Sequence, residues 1–382
     1  MADNMLKTLG ERIKKARERL NISQTELAVR CGFRAHQTIS VIEKGEREVK
    51  AWELAALAKA LSVDMHDLLM AEELKENPAV LWRQRPQKNS AIIEADFINH
   101  CKQYAMLEKI IGETTTHKLL ECKPNGSTFN YDTAKELATT VGKELDLGSC
   151  PAASLVGTLE NRFGVKIWYA DLKDEGSAAA IKGEFGLAIL INTGEAPWRR
   201  NFSLAHELFH LLTWDIFPPA SFSEQDSIQD TKIESFANTF ASNLLLPADE
   251  LVNTCSKYTK NGKMAYVDFV SVAREFRVST EALMYRLKGL GYMTQKNIDT
   301  IKSDPEFIEE DKRSMKGNWP AASDLSERYV RLAFKAYKKG KISRAKLAEY
   351  LNTSLFDLTD KLLEYGLDDR ERYEAEVPIA RR

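Results

Sequence analysis

Residues 199–212 read RRNFSLAHELFHLL and contain an HExxH motif in a stretch with the apolar spacing of a helix. His206 and His210 are four positions apart, so on a helix both side chains project from one face and can hold a single metal ion. Glu207 is angled beside that ion, where a carboxylate serves as a general base. The motif therefore favours a zinc hydrolase. The alternative is a pair of core histidines with ordinary hydrogen bonds.

The third metal ligand must come from elsewhere in the chain, because a catalytic zinc ion takes three protein ligands and keeps one position open. The candidates are the carboxylates downstream of the motif: Asp215, Glu224, Asp226, Asp230 and Glu234. Glu234 is favoured because residues 233–247, IESFANTFASNLLLP, predict an amphipathic helix with Glu234 at the edge of its apolar face. A carboxylate at such an edge needs a partner, and a metal ion is one.

The composition is that of a globular protein of two to three domains, with 43% hydrophobic and 29% charged residues in 382. A net charge of -2 argues against a protein that coats nucleic acid with its whole surface, so any such binding must come from a local patch. Five scattered cysteines without CxxC spacing indicate reduced thiols. The sequence shows neither a signal peptide nor a membrane span, and we expect a cytoplasmic protein with no membrane partner.

The N-terminal 70 residues predict a series of short amphipathic helices. Ser23 and Glu26 form a capping box at the start of one helix. A second short helix runs from His36 towards Gly45, with Ile39 and Ile42 on its inner side. Two short helices joined by a tight turn are typical of a helix-turn-helix.

This segment resembles the Cro/C1-type (XRE) repressor domain through SQTELA (23–28), QTISVIEKGE (37–46) and LAALAKALSV (54–63). The resemblance implies that Gln24 lies near a phosphate and that His36, Gln37 and Thr38 enter the major groove of an operator in double-stranded DNA. Phosphate contacts are expected from Lys44, together with Arg34 and Arg47. A homodimer would match paired operator half-sites. A helical protein-interaction domain of the same fold is the alternative.

The middle of the chain predicts helices around a small sheet. Helices are expected over residues 92–110 and 151–163, and a capping box formed by Thr133 and Glu136 opens another. Strands are expected at 164–169, 178–181 and 187–192, and the last of them is apolar enough to be buried. The HExxH helix packed on this sheet gives a mainly α fold with a small β-sheet, an α+β arrangement.

The segments NFSLAHELFHLL (201–212) and ESFANTFASNLLLP (234–247) resemble the ImmA/IrrE family of metallopeptidases. The resemblance implies a zincin-like, HExxH...E site in which His206, His210 and Glu234 bind one Zn²⁺ ion, with Mn²⁺ as an alternative. It makes Glu207 the general base. Phe209 stands where a small residue is common and is expected to narrow the cleft. The donor for the oxyanion is left open among Tyr258, Tyr266 and an arginine.

The resemblances imply a regulator that binds DNA and cleaves a protein substrate, a transcriptional repressor or its own chain, in a stress or mobile-element response. The alternative is a non-proteolytic, antitoxin-like XRE regulator that keeps the peptidase fold for ligand sensing or structure. The expected division is a helix-turn-helix domain, a linker, a peptidase domain, a second linker and a helical C-terminal domain: 1–72, 73–92, 93–293, 294–320 and 321–382.

In the C-terminal third, residues at about 269–291 resemble the helix-turn-helix-like tail common in the ImmA/IrrE family, and a run of basic residues follows them. Eight basic residues lie between Glu327 and Lys346: Arg328, Arg331, Lys335, Lys338, Lys339, Lys341, Arg344 and Lys346. A solvated helical face is one interpretation of this run. An accessory DNA contact or a surface that docks a repressor is the other.

Overall fold

The computed structural model describes residues 2–69, 77–115, 117–122, 129–173, 176–219, 227–315 and 324–369. Within them the chain is mostly helical with one small mixed sheet, so the predicted mainly α, α+β fold is confirmed. The chain divides into two compact units, one built from residues 1–102 and 115–324 and the other from 103–114 and 325–382. No helix in the described ranges is long and apolar enough to cross a membrane.

The N-terminal part of the first unit is the predicted helix-turn-helix. Its helices are α1 (Ala2–Arg19), α2 (Gln24–Arg30), α3 (Gln37–Glu43), α4 (Ala51–Ala60) and α5 (Met65–Leu69). The capping box that starts α2 is confirmed: the Ser23 hydroxyl accepts from the Glu26 amide at 3.1 Å, and the Glu26 carboxylate accepts from the Ser23 amide at 2.7 Å. The core of this part lies between the helices and includes Ile39 and Ile42, as predicted.

The next stretch, expected to be a linker over residues 73–92, is structured where it is described. Val80–Trp82 form strand β1, and Ser90–Ile111 form helix α6, close to the helix predicted at 92–110. Ala95 of α6 packs in the helix-turn-helix core, while the ring of Phe97 stacks on Trp168 at 5.7 Å. A strand of three residues is too short to show alternation in the sequence, which is why it was not predicted.

Two helices precede the main strands: α7 (Tyr131–Glu144) and α8 (Pro151–Phe163). The bounds of α8 are as predicted. The prediction that Thr133 and Glu136 open α7 is wrong, because the cap is Asn130, whose side-chain oxygen accepts from the amides of Asp132 and Thr133 at 2.9 and 3.0 Å. An asparagine cap satisfies the same free amides as a serine or threonine cap.

The three predicted strands are confirmed as β2 (Lys166–Ala170), β3 (Ala178–Gly183) and β4 (Gly186–Asn192). The strand order is β1-β3-β4-β2, with β2 parallel to β4 and the other pairs antiparallel. Helix α9 (Pro197–Leu212) packs on β3 and β4, and α10 (Ser227–Leu245) packs on α9 and α7. Helix α9, which carries the HExxH motif, therefore lies between the sheet and a second helix.

Five helices complete the first unit: α11 (Ala248–Tyr258), α12 (Tyr266–Glu275), α13 (Thr280–Gly289), α14 (Gln295–Ser303) and α15 (Pro305–Met315). The last two occupy most of the stretch expected to be a second linker. Ile298 and Phe307 are buried, and Phe307 contacts the rings of Tyr266 and Phe269. Helices α14 and α15 each bury few apolar side chains, so the helical spacing of apolar residues is hard to see among the polar residues between them.

The second unit packs residues 103–111 of α6 with α16 (Glu327–Lys338), α17 (Arg344–Tyr350) and α18 (Leu358–Glu364). Several of the eight basic residues are held by ion pairs within this unit, and Arg344 is one of them through Asp369. The guanidinium of Arg328 is buried against Glu108, and the Lys335 ammonium pairs with Glu113. The exposed basic surface is therefore smaller than the sequence suggests.

Candidate metal centre

Helix α9 places the HExxH motif in the interior of the first unit. Its first turn begins with Pro197. Proline has no backbone N–H, and at the first position of a helix that group would have no partner within the helix. Leu204, Leu208 and Leu211 pack in the core, which fixes the rotation of the helix. His206 and Glu207 are both 0% exposed. The motif is held rigidly by packing on two sides.

Three side chains converge at this point of α9, as the sequence analysis predicts. The Nε2 atoms of His206 and His210 are 3.3 Å apart. The Glu234 carboxylate of α10 lies 3.0 Å from His206 Nε2 and 3.3 Å from His210 Nε2. A tetrahedral zinc ion with nitrogen and oxygen ligands at about 2.05 Å separates its ligand atoms by about 3.3 Å. The three side chains fit that spacing, so they form a group that can hold a metal ion.

A fourth residue orients this group. His206 Nδ1 lies 3.1 Å from the side-chain oxygen of Asn238, one helical turn after Glu234 on α10. A carbonyl oxygen only accepts, so Nδ1 carries the proton and Nε2 presents its lone pair towards His210 and Glu234. Asn238 therefore fixes the tautomer and the ring orientation of His206.

The protonation states suit metal ligands. Burial lowers the pKa of His206 to about 4, against the opposing effect of the nearby Glu234 carboxylate. Burial alone would raise the pKa of Glu234, but the close contacts with His206 and His210 outweigh it and lower that pKa below its usual range. A neutral imidazole and an ionised carboxylate are the forms that bind a metal ion.

The Glu207 carboxylate is buried, and neither of its oxygens has a hydrogen-bond partner within the described residues. Burial raises its pKa well above the usual range, and the negative charge of Glu234 adds to that shift. Burial of a carboxylate without a hydrogen-bond partner lowers the free energy of unfolding. The presence of Glu207 at this position therefore indicates a functional partner such as water or substrate.

A network beside Glu207 was not predicted. Arg83 Nη1 donates to the Ser203 hydroxyl at 3.1 Å, and that hydroxyl donates to Glu195 at 3.0 Å. The Ser177 hydroxyl donates to the other oxygen of Glu195 at 2.9 Å. Ser203 precedes Glu207 by one helical turn, which the sequence shows. Nothing in the sequence connects Arg83 to α9, since it precedes Ser203 by 120 residues.

Other expectations for the site change. Phe209 does not narrow a cleft: it is fully buried in the core among Phe129, Phe217 and Phe240. The Tyr266 hydroxyl donates to Asp304 at 2.8 Å, which removes it as an oxyanion donor. Among the alternative third ligands, Asp215 is exposed and lies near Lys182. The side chains of the other three, Glu224, Asp226 and Asp230, lie outside the described part of the chain.

The residues expected to bind DNA fall at both ends of α3. His36 precedes its first turn and is exposed, Gln37 is its first residue and is exposed, and Thr38 is half-buried. Lys44 is exposed at the opposite end. The Gln24 amide instead donates to Glu43 at 2.8 Å, and Arg17 holds the same carboxylate. Gln24 thus joins α2 to α3 by a hydrogen bond, and its contact with DNA stays a prediction.

Two family models match the chain over these regions. Residues 160–288 match the IrrE N-terminal-like domain, Peptidase_M78, and residues 13–68 match a helix-turn-helix domain. The chain thus carries an IrrE N-terminal-like domain and, before it, a helix-turn-helix domain. Both resemblances seen in the sequence are confirmed. The IrrE N-terminal-like match includes the motif of α9 and Glu234, whereas Arg83 lies outside it.

Comparison with solved structures gives only distant likenesses. A Mycobacterium tuberculosis transcriptional regulator is 18% identical, with a TM-score of 0.31, and the match covers 48% of this chain and 51% of that one. The chain therefore matches about half the length of that regulator. The apo form of ComR from S. thermophilus is 13% identical, with 94% and 96% covered and a TM-score of 0.17. At these scores neither likeness supports an argument. Comparison with curated proteins gives no match.

Proposed function

We propose that the protein is a DNA-binding regulator with a zinc-dependent endopeptidase activity. The observation that carries the proposal is the convergence of His206, His210 and Glu234 at tetrahedral ligand spacing, with the unpartnered Glu207 beside them. A purely structural metal site has no need for Glu207. The helix-turn-helix domain supports the DNA-binding half of the proposal.

The site residues divide the chemistry among them. A bound zinc ion supplies Lewis acidity, which acidifies water and polarises a peptide carbonyl. Glu207 takes the proton from the attacking water and returns it to the amine that leaves. His206, His210 and Glu234 hold the ion, and Asn238 fixes the orientation of the His206 ring. Mn²⁺ is the alternative ion for this ligand set.

We propose a transcriptional repressor as the substrate, either a separate protein or the chain itself, cleaved in a stress or mobile-element response. Fusion of a peptidase to a DNA-binding domain brings the active site close to proteins bound at the same operator. His36, Gln37 and Thr38 are proposed to read the operator, with Lys44 and Gln24 at its phosphates. Paired half-sites would require a homodimer, and the proposed location is the cytoplasm.

The test compares the wild type with Glu207→Gln and with Glu250→Gln, an exposed carboxylate on α11 as the control. Elemental analysis of the full-length proteins should find one zinc ion in all three. Proteomics of new N-termini in cells should find a cleaved repressor, or the cleaved chain, with the wild type and the control only. Zinc binding without Glu207-dependent cleavage would instead support the non-proteolytic regulator. Absence of zinc would reject the metal centre itself.

A further inference from the structure

Arg83 contacts the helix of the metal centre from a part of the chain outside the matched peptidase region. It follows β1 directly, and its backbone amide donates to the Ala178 carbonyl of β3 at 3.1 Å, which extends the pairing of the two strands. The guanidinium lies over the ring of Phe202, 5.6 Å from its centroid. Strand pairing and the aromatic contact together direct this side chain onto α9.

The position of the guanidinium on α9 is set by Ser203. Ser203 and Glu207 are four residues apart, so they share a face of the helix. Ser203 is also three residues before His206, so it lies on the same side of the helix as that ligand. Arg83 therefore lies on the side of α9 that carries the general base and the first ligand.

The guanidinium keeps donors available for a ligand. Arginine has five N–H groups, and Arg83 uses one of them on a protein acceptor, the Ser203 hydroxyl. Within the described residues no carboxylate lies within ion-pairing distance of it. The side chain is half-buried, so part of it is open to solvent.

The network behind Arg83 holds it in place. The Ser203 proton points to Glu195, so a lone pair of the same hydroxyl faces Arg83. Glu195 accepts from Ser177 with its other oxygen, which fixes the carboxylate. Ser203 and Ser177 are buried, so the chain of contacts is shielded from water. Donors fixed in advance of the reaction stabilise developing charge better than mobile ones do.

We propose that Arg83 forms an oxyanion-binding subsite beside the metal centre, which takes the substrate carbonyl oxygen as that oxygen becomes negatively charged. This inference rests on the proposed peptidase function and supplies the donor that the sequence leaves open. Glu195, Ser203 and Ser177 are positioning residues for Arg83. The ligand class of the subsite is a small oxyanion, so inorganic phosphate is a suitable probe.

The experiment uses full-length protein loaded with Co²⁺, whose visible spectrum reports a ligand that enters the metal site. Phosphate is titrated into the wild type, Arg83→Gln, Arg83→Lys and Arg85→Gln. Arg85 is the control, since it lies two residues away, is exposed and pairs with Glu94. We expect Arg83→Gln to weaken phosphate binding by about tenfold or more, Arg83→Lys to restore part of it, and Arg85→Gln to match the wild type.

A second measurement separates this role from a structural one. The cation of Arg83 repels a metal ion, so Arg83→Gln should leave Co²⁺ affinity unchanged or raise it, whereas damage to β1 would lower it. Equal phosphate affinity in Arg83→Gln and the wild type, or no phosphate binding by the cobalt-loaded wild type, would overturn the subsite. Failure of the wild type to bind Co²⁺ would instead reject the proposed metal centre. If Arg83→Gln does not fold, the comparison of Arg83→Lys with the wild type decides.

Discussion

His206 Nδ1 and the Asn238 side-chain oxygen lie 3.1 Å apart, joining the motif helix α9 to α10, which carries Glu234. This hydrogen bond fixes which nitrogen of His206 faces the metal position. Helix α10 thus supplies both a ligand and the residue that orients another ligand, from positions one turn apart.

The first prediction concerns this contact. Asn238→Ala should lower zinc affinity by about 10- to 100-fold, because the His206 ring loses the acceptor that selects its tautomer. Competition with a zinc-binding dye measures the change. Asn243→Ala is the matched control, since Asn243 lies on the same helix and its amide donates to the Thr239 carbonyl. Equal losses in both variants would show a general effect on α10.

The second prediction concerns stability. A metal ion that binds the folded state alone raises the free energy of unfolding by about 4 kcal/mol at a thousandfold excess over the dissociation constant. Zinc should therefore raise the melting temperature of the wild type, and a chelator should reverse the rise. Glu234→Gln removes the ligand carboxylate, so its melting temperature should respond little to zinc. A full response in Glu234→Gln would exclude Glu234 as a ligand.

The residues of the candidate metal centre could be predicted from the sequence, whereas the contact of Arg83 with α9 could not. His206, Glu207 and His210 lie within five residues of one helix, where spacing alone places side chains on a face. Glu234 could be found because it lies at the edge of the long apolar face of its helix, one turn before Asn238. Arg83 depends on the pairing of a three-residue strand with β3, a contact distant in sequence that leaves no local pattern.

The same reasoning explains the unpredicted helices α14 and α15. Their buried contacts, such as Phe307 with Tyr266 and Arg274 with Asp311, join residues about 40 positions apart. Local composition over 294–320 is polar and therefore predicts a linker. Tertiary packing supplies the stabilisation that composition does not show.

The third prediction concerns pH. His100 is buried against Trp168, and burial lowers its pKa to about 3, below the usual 6.5. Between pH 6.5 and pH 3, His100 is protonated in the unfolded chain but not in the folded chain. The free energy of unfolding therefore falls as the pH drops below about 6.5 and continues to fall towards pH 3. At pH 5 this loss amounts to about 2 kcal/mol.

His100→Phe keeps a ring against Trp168 and removes the titrating group. Its melting temperature should fall less than that of the wild type between pH 7 and pH 5, as measured by circular dichroism. His206 is present in both proteins, so its own effect cancels in the comparison. Parallel pH profiles for the two proteins would contradict the assignment to His100.

The fourth prediction concerns the operator. Gln37 is exposed at the first position of α3, where a side chain reaches base edges when this helix lies in the major groove. Gln37→Ala should weaken binding to a DNA site selected with the wild-type protein by about 1–3 kcal/mol, and should leave non-specific DNA binding and its salt dependence unchanged. The control is Gln87→Ala, which changes an exposed glutamine near α6.

Lys44→Ala should instead weaken binding to all DNA sequences and reduce the salt dependence of that binding. The reason is that a phosphate contact carries charge but does not distinguish one base from another. If Gln37→Ala and Lys44→Ala behave alike, α3 contacts only the DNA backbone and another element must read the bases.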